Sequence, residues 1–209
     1  MTDKTRDRSP EELAARKIEF LKVCDILDSN QIIYYLQTGV LLGAVRNKDF
    51  IKWDWDVEVS VFSNDFFPKI DLIVKELESN NFKMINVITK KEDSKIDFFG
   101  KYSQDVTKYT IYSWNYSKIK DIYWRRERFV PSKFLNNFSK ISLFDRQFNC
   151  PKNPEEYLSF AYGNWKIPLR TSDKDLYMSK NFRNAKIVMF DSLKKMIQKN
   201  IYAVWKLFK

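Results

Sequence analysis

Three acidic residues alternate with apolar residues in one short segment of the chain. Asp54, Asp56 and Glu58 lie in the run IKWDWDVEV at residues 51–59. Because alternate side chains of a β-strand project from the same face, a strand here would place the three carboxylates together, successive ones roughly 6 to 7 Å apart. The opposite face would be apolar and buried, formed by Trp53, Trp55, Val57, Val59 and Val61.

Carboxylates crowded in this way point to metal chemistry. They repel one another, and a bound divalent cation is the ordinary way to relieve that repulsion at a partly buried site. Ligand sets made only of oxygen favour Mg²⁺ or Mn²⁺. The segment therefore predicts a metal site, and the alternative is an edge strand whose acidic face is simply solvated.

The segment before the acids has the pattern of a phosphate site. Residues 31–46 read as an apolar strand, a turn at Thr38 and Gly39, and a short helix that ends at Arg46. Thr38 can cap that helix, Gly39 allows a ligand to approach the backbone, and Arg46 can complete the anion site formed by the free amides of the first turn. A glycine in a turn is weak evidence alone, but this one precedes the acidic run by only a few residues.

Composition excludes several other kinds of site. The chain has no histidine, so histidine-dependent catalytic triads and HExxH zinc sites are excluded. Cys24 and Cys150 are too few for a zinc site on their own and lack CxxC spacing, which suits core residues or free thiols. Acid–base chemistry therefore falls to carboxylates, which is compatible with metal-assisted phosphoryl transfer.

Two separated stretches resemble the LicD family, whose signature fukutin-related proteins share. Residues 38–46 (TGVLLGAVR) and 50–58 (FIKWDWDVE) resemble its first motif. Residues 149–158 and 161–168 are similar to its closing segment, in which a proline precedes Tyr-Leu and then Tyr-Gly-x-Trp-x-x-Pro. The motifs have the order and spacing of the family, and the resemblance covers residues 30–170.

The resemblance implies a fold and an activity. The fold is α+β, with a nucleotidyltransferase-like core in which helices flank a mixed β-sheet. The activity is transfer of a phosphorylated alcohol, such as phosphocholine or a polyol phosphate, from a CDP-activated donor to a hydroxyl of a glycan or lipid-linked glycan, with release of CMP. Such acceptors include lipopolysaccharide and capsule precursors.

The resemblance also implies roles for individual residues. Asp54 and Asp56 would hold Mg²⁺ or Mn²⁺ and act in catalysis. The chain departs from the family at Glu58, where a third aspartate is usual, and at Lys52, where proline is usual; Glu58 remains a candidate ligand. The further carboxylate that such folds take from a neighbouring strand would be Asp97, as ligand or base, with Asp121 as its competitor.

The predicted substrate-binding residues come from both motifs. They are Thr38, Gly39, Gly43, Arg46, Tyr162 and Trp165. The two aromatic residues can stack on a base or a sugar, although aromatic residues at this spacing are more often packed in a core. The cluster Arg125, Arg126 and Arg128 can hold phosphates or form a solvated face.

Other patterns predict the supporting elements. A capping box at Ser9 and Glu12 opens a helix that extends to Leu27, and a second helix begins near Asn64. Residues 84–89 and 94–99 read as a hairpin. We expect a disordered polar segment at residues 1–8 and one domain at 9–181.

Residues 182–209 predict a basic amphipathic helix, within a chain of net charge +10. Such a helix can lie on an anionic membrane surface, or it can dock on the core with its lysines solvated. The polar start lacks a signal-peptide pattern and no apolar run approaches the ~20 residues that span a bilayer, so we expect a cytoplasmic protein, at most at the inner face of the membrane.

Two other function classes fit parts of the sequence. The basic charge fits a nucleic-acid-binding protein without activity, but no base-reading motif accompanies it, so no nucleic acid is expected as a partner. The same metal and phosphate sites also fit a nucleotidyltransferase that uses a nucleoside triphosphate. Pyrophosphate release would distinguish that reaction from phosphoalcohol transfer.

Overall fold

The computed structural model describes residues 5–102 and 106–182 of the 209-residue chain. The helices are α1 (Pro10–Ser29), α2 (Thr38–Asn47), α3 (Ser63–Phe66), α4 (Ile70–Ser79), α5 (Pro154–Tyr162) and α6 (Lys174–Tyr177). The strands are β1 (Tyr34–Tyr35), β2 (Asp56–Phe62), β3 (Lys83–Ile88), β4 (Lys95–Phe99), β5 (Lys108–Ser117), β6 (Ile122–Arg125), β7 (Arg128–Pro131), β8 (Phe138–Leu143) and β9 (Arg146–Pro151).

A mixed sheet forms the centre of the fold, in the order β1-β2-β5-β4-β3. β2 and β5 run parallel, whereas the other neighbouring pairs are antiparallel. The far end of β5 also pairs with β6, which continues into β7, and β8 and β9 form a separate two-stranded ribbon. Helices pack on this mixed sheet, so the predicted α+β class is confirmed.

The N-terminal helix forms for the reason that the sequence indicates. The Ser9 hydroxyl accepts from the Glu12 amide, the Glu12 carboxylate accepts from the Ser9 amide, and Pro10 takes the first helical position. The predicted disorder of residues 1–8 does not hold for residues 5–8. Arg8 is buried, and its amide donates to the carbonyl of Lys52, which ties this segment to the turn before β2.

The acidic strand is shorter than predicted. Val57, Val59 and Val61 are fully buried, as the alternating pattern requires. The strand begins only at Asp56, however, because the chain makes a turn at residues 52–53. The expectation that Trp53 and Trp55 face the core is therefore wrong. Both are half-buried and line a cavity on the side of the carboxylates.

The other predicted elements are present with adjusted bounds. β3 and β4 form the expected hairpin. The helix expected near Asn64 is divided, because a 3₁₀ turn at Phe67–Lys69, which contains a proline, separates α3 from α4. Within residues 5–102 and 106–182, no helix is long and apolar enough to cross a membrane. The amphipathic helix predicted for 182–209 lies outside the described residues after Phe182.

Gly43 fixes the distance between α2 and the loop that leads to the acidic strand. A methyl group at this position would collide with the backbone carbonyl of Asp49 and press on the backbone at Phe50 and Ile51. Backbone cannot move aside as a flexible side chain can, so the usual helix-stabilising effect of alanine is outweighed.

We predict that Gly43→Ala lowers the free energy of unfolding by about 2 kcal/mol, the cost of overpacking. Urea unfolding followed by circular dichroism measures this, with Gly163→Ala as the comparison, because open space surrounds Gly163 although its φ is +69°. Because its positive φ makes substitution of Gly163 strained, Gly163→Ala measures the cost of backbone strain without a collision, and the packing argument requires Gly43→Ala to lose stability relative to wild type. A more stable Gly43→Ala protein would contradict it.

Candidate active site

A cavity of about 430 Å³ opens beside the start of β2, a volume typical of small-ligand sites. Most of its walls come from α2, from the segment from Ile51 to Glu58, and from the stretch from Tyr162 to Met178, and Thr5 and Arg128 complete the lining. The predicted residues that line it are Thr38, Gly39, Arg46, Asp54, Asp56, Glu58, Tyr162 and Trp165. The two separated sequence motifs therefore meet at one cavity.

The first residue of α2 orients one carboxylate. The Thr38 hydroxyl donates to Oε2 of Glu58 at 2.9 Å. Thr38 does not cap the helix as predicted: the N-cap position belongs to Gln37, and neither side chain makes a capping bond. Thr38 has a φ of +51°, a strained conformation for a β-branched residue. The surrounding structure thus holds this hydroxyl against Glu58.

Gly39 and Gly43, the two glycines of the motif, have different roles. A methyl group on Gly39 would collide with Oδ2 of Asp54, so only glycine lets α2 begin this close to that carboxylate. Gly43 does not line the cavity and instead packs against the backbone of residues 49–51. Its predicted role in substrate binding is therefore corrected to a role in packing.

The protein environment opposes the negative charge on both aspartates. Burial, opposed by the charge of Arg16 and reinforced by that of Glu58, raises the pKa of Asp54 to about 6. Burial and the charges of Glu58 and Asp54 raise the pKa of Asp56 well above its ordinary value. Both side chains still reach solvent through the cavity. Crowded carboxylates of this kind are a favourable place for a cation.

Buried Arg16 supports the approach to the acidic strand. Its guanidinium donates to the backbone carbonyl of Asp54 at 3.0 Å and to the hydroxyl of Thr107 at 3.1 Å. The contact joins α1 to the turn before β2 and to the start of β5. Arg16 therefore holds the Asp54 backbone while its charge favours the ionised carboxylate.

The structure places Asp97 away from the other acids. β4 is separated from β2 by β5, and in register Asp97 and Glu58 lie on either side of Thr110. Asp97 accepts from the Thr110 hydroxyl at 2.7 Å and forms an ion pair with Lys95. It does not line the cavity. The expectation that it comes from the strand next to β2 is thus corrected, whereas its role as ligand or base stays a prediction.

Asp121, the alternative candidate for the third carboxylate, also lies outside the cavity. Asp121 is exposed in the turn between β5 and β6, where it accepts from the Tyr116 hydroxyl. In the part of the chain that the structure describes, no three acidic, histidine or cysteine side chains converge closely enough to hold one metal ion. The carboxylates available near the cation position are therefore the Asp54 and Asp56 pair, with Glu58 engaged by Thr38.

Basic groups surround the acids. The Arg46 guanidinium lies 5.7 Å from the ring centre of Trp53, which fixes it at the cavity wall. Of the arginine cluster, Arg128 lines the cavity, whereas Arg125 and Arg126 pair with Asp93. Lys174 also lines the cavity, and its charge favours the ionised form of Asp56. The sequence patterns gave no signal for Lys174.

Aromatic side chains form the opposite part of the lining. Tyr162 stacks on Tyr177 with ring centres 6.2 Å apart, and the Trp165 indole donates to the Ser159 hydroxyl at 3.1 Å. Both predicted residues therefore face the cavity from fixed positions. Tyr157, by contrast, is fully buried in the core.

A comparison with known protein families matches the part of the chain that contains the acidic strand and α2. Residues 31–153 match the model of the LicD/FKTN/FKRP nucleotidyltransferase domain, which is more than half of the chain. The chain belongs to this family.

Named relatives of this LicD-family chain are sugar-alcohol phosphate transferases. It is 28% identical over 179 residues to ribitol-5-phosphate transferase FKTN of Macaca fascicularis, which is 80% of this chain and 37% of that protein. It is 40% identical over 43 residues to ribitol 5-phosphate transferase FKRP of Homo sapiens, which is 21% of this chain and 9% of that protein. The chain thus spans little more than a third of FKTN.

Solved structures share the fold of the LicD-family chain. The lincosamide antibiotic adenylyltransferase LnuA matches with a TM-score of 0.50 at 14% identity, over 86% of this chain and 99% of that one. The antibiotic-resistance factor ANT(2'')-Ia matches with a TM-score of 0.52 at 11% identity, over 92% and 96%. The predicted nucleotidyltransferase-like core is confirmed.

The raised pKa of Asp54 predicts a pH-dependent stability difference. Because the folded-state pKa of about 6 exceeds the ordinary value, ionisation of Asp54 opposes folding, and this loss of stability develops as the pH rises through about 6. Asp54→Asn removes the charge and keeps an oxygen that can accept from the Trp55 amide.

Without metal at pH 8, we expect Asp54→Asn to raise the free energy of unfolding of this LicD-family chain by on the order of 1 kcal/mol. The gain should vanish near pH 3, below the ordinary pKa of aspartate, where the wild-type carboxyl is largely protonated in both the folded and the unfolded state. Urea titrations in EDTA at the two pH values provide the measurement. A variant that is less stable than wild type at pH 8 would refute this electrostatic account.

Proposed function

We propose that the chain transfers a phosphorylated alcohol from a CDP-activated donor to a hydroxyl of a glycan and releases CMP. The observation that carries the proposal is the meeting of Asp54, Asp56 and the start of α2 at one cavity. Family membership and the ribitol-phosphate transferases among its relatives support the reaction class.

The residues present fit a magnesium ion. Mg²⁺ is commonly bound in proteins by one or two carboxylates together with phosphate oxygens of the substrate. Asp54 and Asp56 supply two carboxylates of the right kind, and since burial and neighbouring charges raise the pKa of both groups, a bound cation would favour their ionised forms. A bound Mg²⁺ or Mn²⁺ would neutralise charge on the phosphates and lower the pKa of the attacking hydroxyl.

The start of α2 and Arg46 are suited to the donor phosphates. The first amides of a helix lack intrahelical partners and attract anions. Gly39 lets the Asp54 carboxylate lie directly against the first turn of α2. Arg46, one helix length away, adds a positive charge at the same cavity. The donor pyrophosphate would then lie between the helix start and the carboxylates.

The chemical step needs positioning more than covalent help from side chains. The oxygen of the acceptor hydroxyl bonds to the phosphorus that carries the alcohol, the bond from that phosphorus to the bridging oxygen breaks, and CMP leaves with that oxygen. The proton of the hydroxyl passes to a carboxylate of the cavity. The half-buried walls reduce access of water, which would otherwise compete as the acceptor.

The aromatic wall is suited to the organic parts of the substrates. Trp165 and the stacked Tyr162 present ring faces that can hold a cytosine base or a sugar. Trp53 and Trp55 add further apolar surface on the side of the acids. These rings would position the ligands without taking part in the reaction.

Release of CMP from a panel of CDP-alcohols, with candidate glycans present, tests the proposal. We expect Mg²⁺-dependent release from one donor, loss of release in EDTA, and a decrease of at least about 100-fold in Asp56→Asn. Asp121→Asn is the matched control, since Asp121 is an exposed carboxylate outside the cavity.

Other results would change the function assigned to the chain. Pyrophosphate release from a nucleoside triphosphate, without CMP from any CDP-alcohol, would mean nucleotidyl transfer. Salt-sensitive nucleic-acid binding that Asp54→Asn leaves unchanged, without turnover of any donor, would mean a binding protein. Equal activity in Asp56→Asn and wild type would refute the role of the carboxylates.

A further inference from the structure

Two buried arginines face each other across the β6–β7 hairpin. Arg125 ends β6 and Arg128 begins β7, and the two residues are register partners. The connection between them is only two residues long, and its first residue, Arg126, has a φ of +50°. Both side chains lie within the fold, since Arg125 is 7% exposed and Arg128 is 9% exposed.

The first of these arginines has a protein partner. Arg125 forms an ion pair with Oδ1 of Asp93 at 2.8 Å, and its guanidinium lies over the ring of Tyr112. Arg126 pairs with the other oxygen of Asp93 at 2.7 Å. Asp93 therefore compensates the charge of Arg125. Arg125 does not line the cavity.

The second arginine has no such partner. Among residues 5–102 and 106–182, no group forms a hydrogen bond or an ion pair with the Arg128 side chain, whose guanidinium lies 5.9 Å from the ring centre of Phe182. Arg128 lines the cavity that contains the carboxylates. Its charge is favoured by the field of Glu58, but the two groups are too far apart to form an ion pair.

The Arg128 guanidinium presents unused N–H donors to the cavity, where an anion could accept them. The group carries five N–H donors in a planar fork that matches two oxygens of a phosphate, and it keeps its charge at any physiological pH. Burial without a carboxylate is costly, so unpaired arginines of this kind usually serve a ligand. The space between Arg128 and the acids also suits an anion, because Glu58 itself does not reach the guanidinium.

We propose that Arg128 binds a phosphate of a nucleoside diphosphate ester, as a second anion contact separate from α2 and Arg46. This inference rests on the proposed function for the identity of the ligand and deepens it. The donor would be held from β7 by Arg128 and from the β2 side by the acids with their cation. Arg128 would then contact the phosphate directly, whereas Arg125 would only stabilise the hairpin.

Measurements of equilibrium binding distinguish the proposed role of Arg128 from that of Arg125. Calorimetric titration of the full chain with CDP, and separately with inorganic pyrophosphate, in Mg²⁺ gives the affinities. We expect Arg128→Met to weaken both ligands by at least about tenfold, as loss of a charged hydrogen bond requires. Arg128→Lys should lose less, because it keeps the charge but not the fork. Arg125→Lys should bind as wild type does.

Each result has a defined meaning. Unchanged affinity in both Arg128 variants would overturn the inference, and so would the absence of CDP and pyrophosphate binding by the wild type. If Arg128→Met does not fold, as judged by its thermal unfolding, Arg128→Lys and its Arg125→Lys control decide the question. If the wild type binds both ligands through Arg128 but releases no CMP from any CDP-alcohol, the proposed reaction fails and the phosphate contact stands.

Discussion

Mutual repulsion among the carboxylates at the start of β2 is the constraint to which the rest of the structure responds. Asp54, Asp56 and Glu58 share one cavity, and burial makes the charges of Asp54 and Asp56 more costly than they would be in water. The buried valines of β2 hold the strand in the sheet regardless of that cost. Packing energy from the core therefore maintains an electrostatically unfavourable arrangement, which is compatible with the proposed cation site.

Supporting contacts hold the acids from several directions. Arg16 donates to the Asp54 carbonyl from α1, the Thr38 hydroxyl donates to Glu58 from α2, and Gly39 permits the close approach of the helix. Each contact comes from a secondary-structure element that packs into the same core. The arrangement favours preorganisation, because little has to move when a phosphate and a cation enter.

Three cationic side chains line the same cavity as the acids. They lie on three different elements: Arg46 on α2, Arg128 on β7 and Lys174 on α6. A phosphate ester between these groups and the acids would meet positive charge on several sides. The proposed donor therefore explains both the acids that need a cation and the arginine that lacks an anion.

Local patterns in the sequence predicted those elements of the site whose conformation depends on residues close together in the chain. The alternation of acids with valines predicted β2, and the Thr-Gly turn predicted the start of α2, because both depend on near neighbours. The orientation of Trp53 and Trp55 was wrong because a turn at residues 52–53 interrupts the alternation.

Contacts between segments that are distant in the sequence could not be predicted from these local patterns. Asp97 lies in the predicted hairpin, but the position of that hairpin depends on β5, which inserts between β2 and β4. Nothing in the order of residues indicates this insertion. The different environments of Arg125 and Arg128 likewise follow from the position of Asp93 and from the sheet, whereas the sequence shows only a basic cluster.

The location of a bound cation tests the central claim most directly. Crystals grown with Mn²⁺ and CDP would show the metal by its anomalous scattering, independently of any choice of acceptor. The account predicts an anomalous peak bonded to carboxylate oxygens of Asp54 and Asp56, with phosphate oxygens of CDP completing its shell. A cavity that holds CDP without Mn²⁺ at these two aspartates, or Mn²⁺ bound at another site, would contradict it.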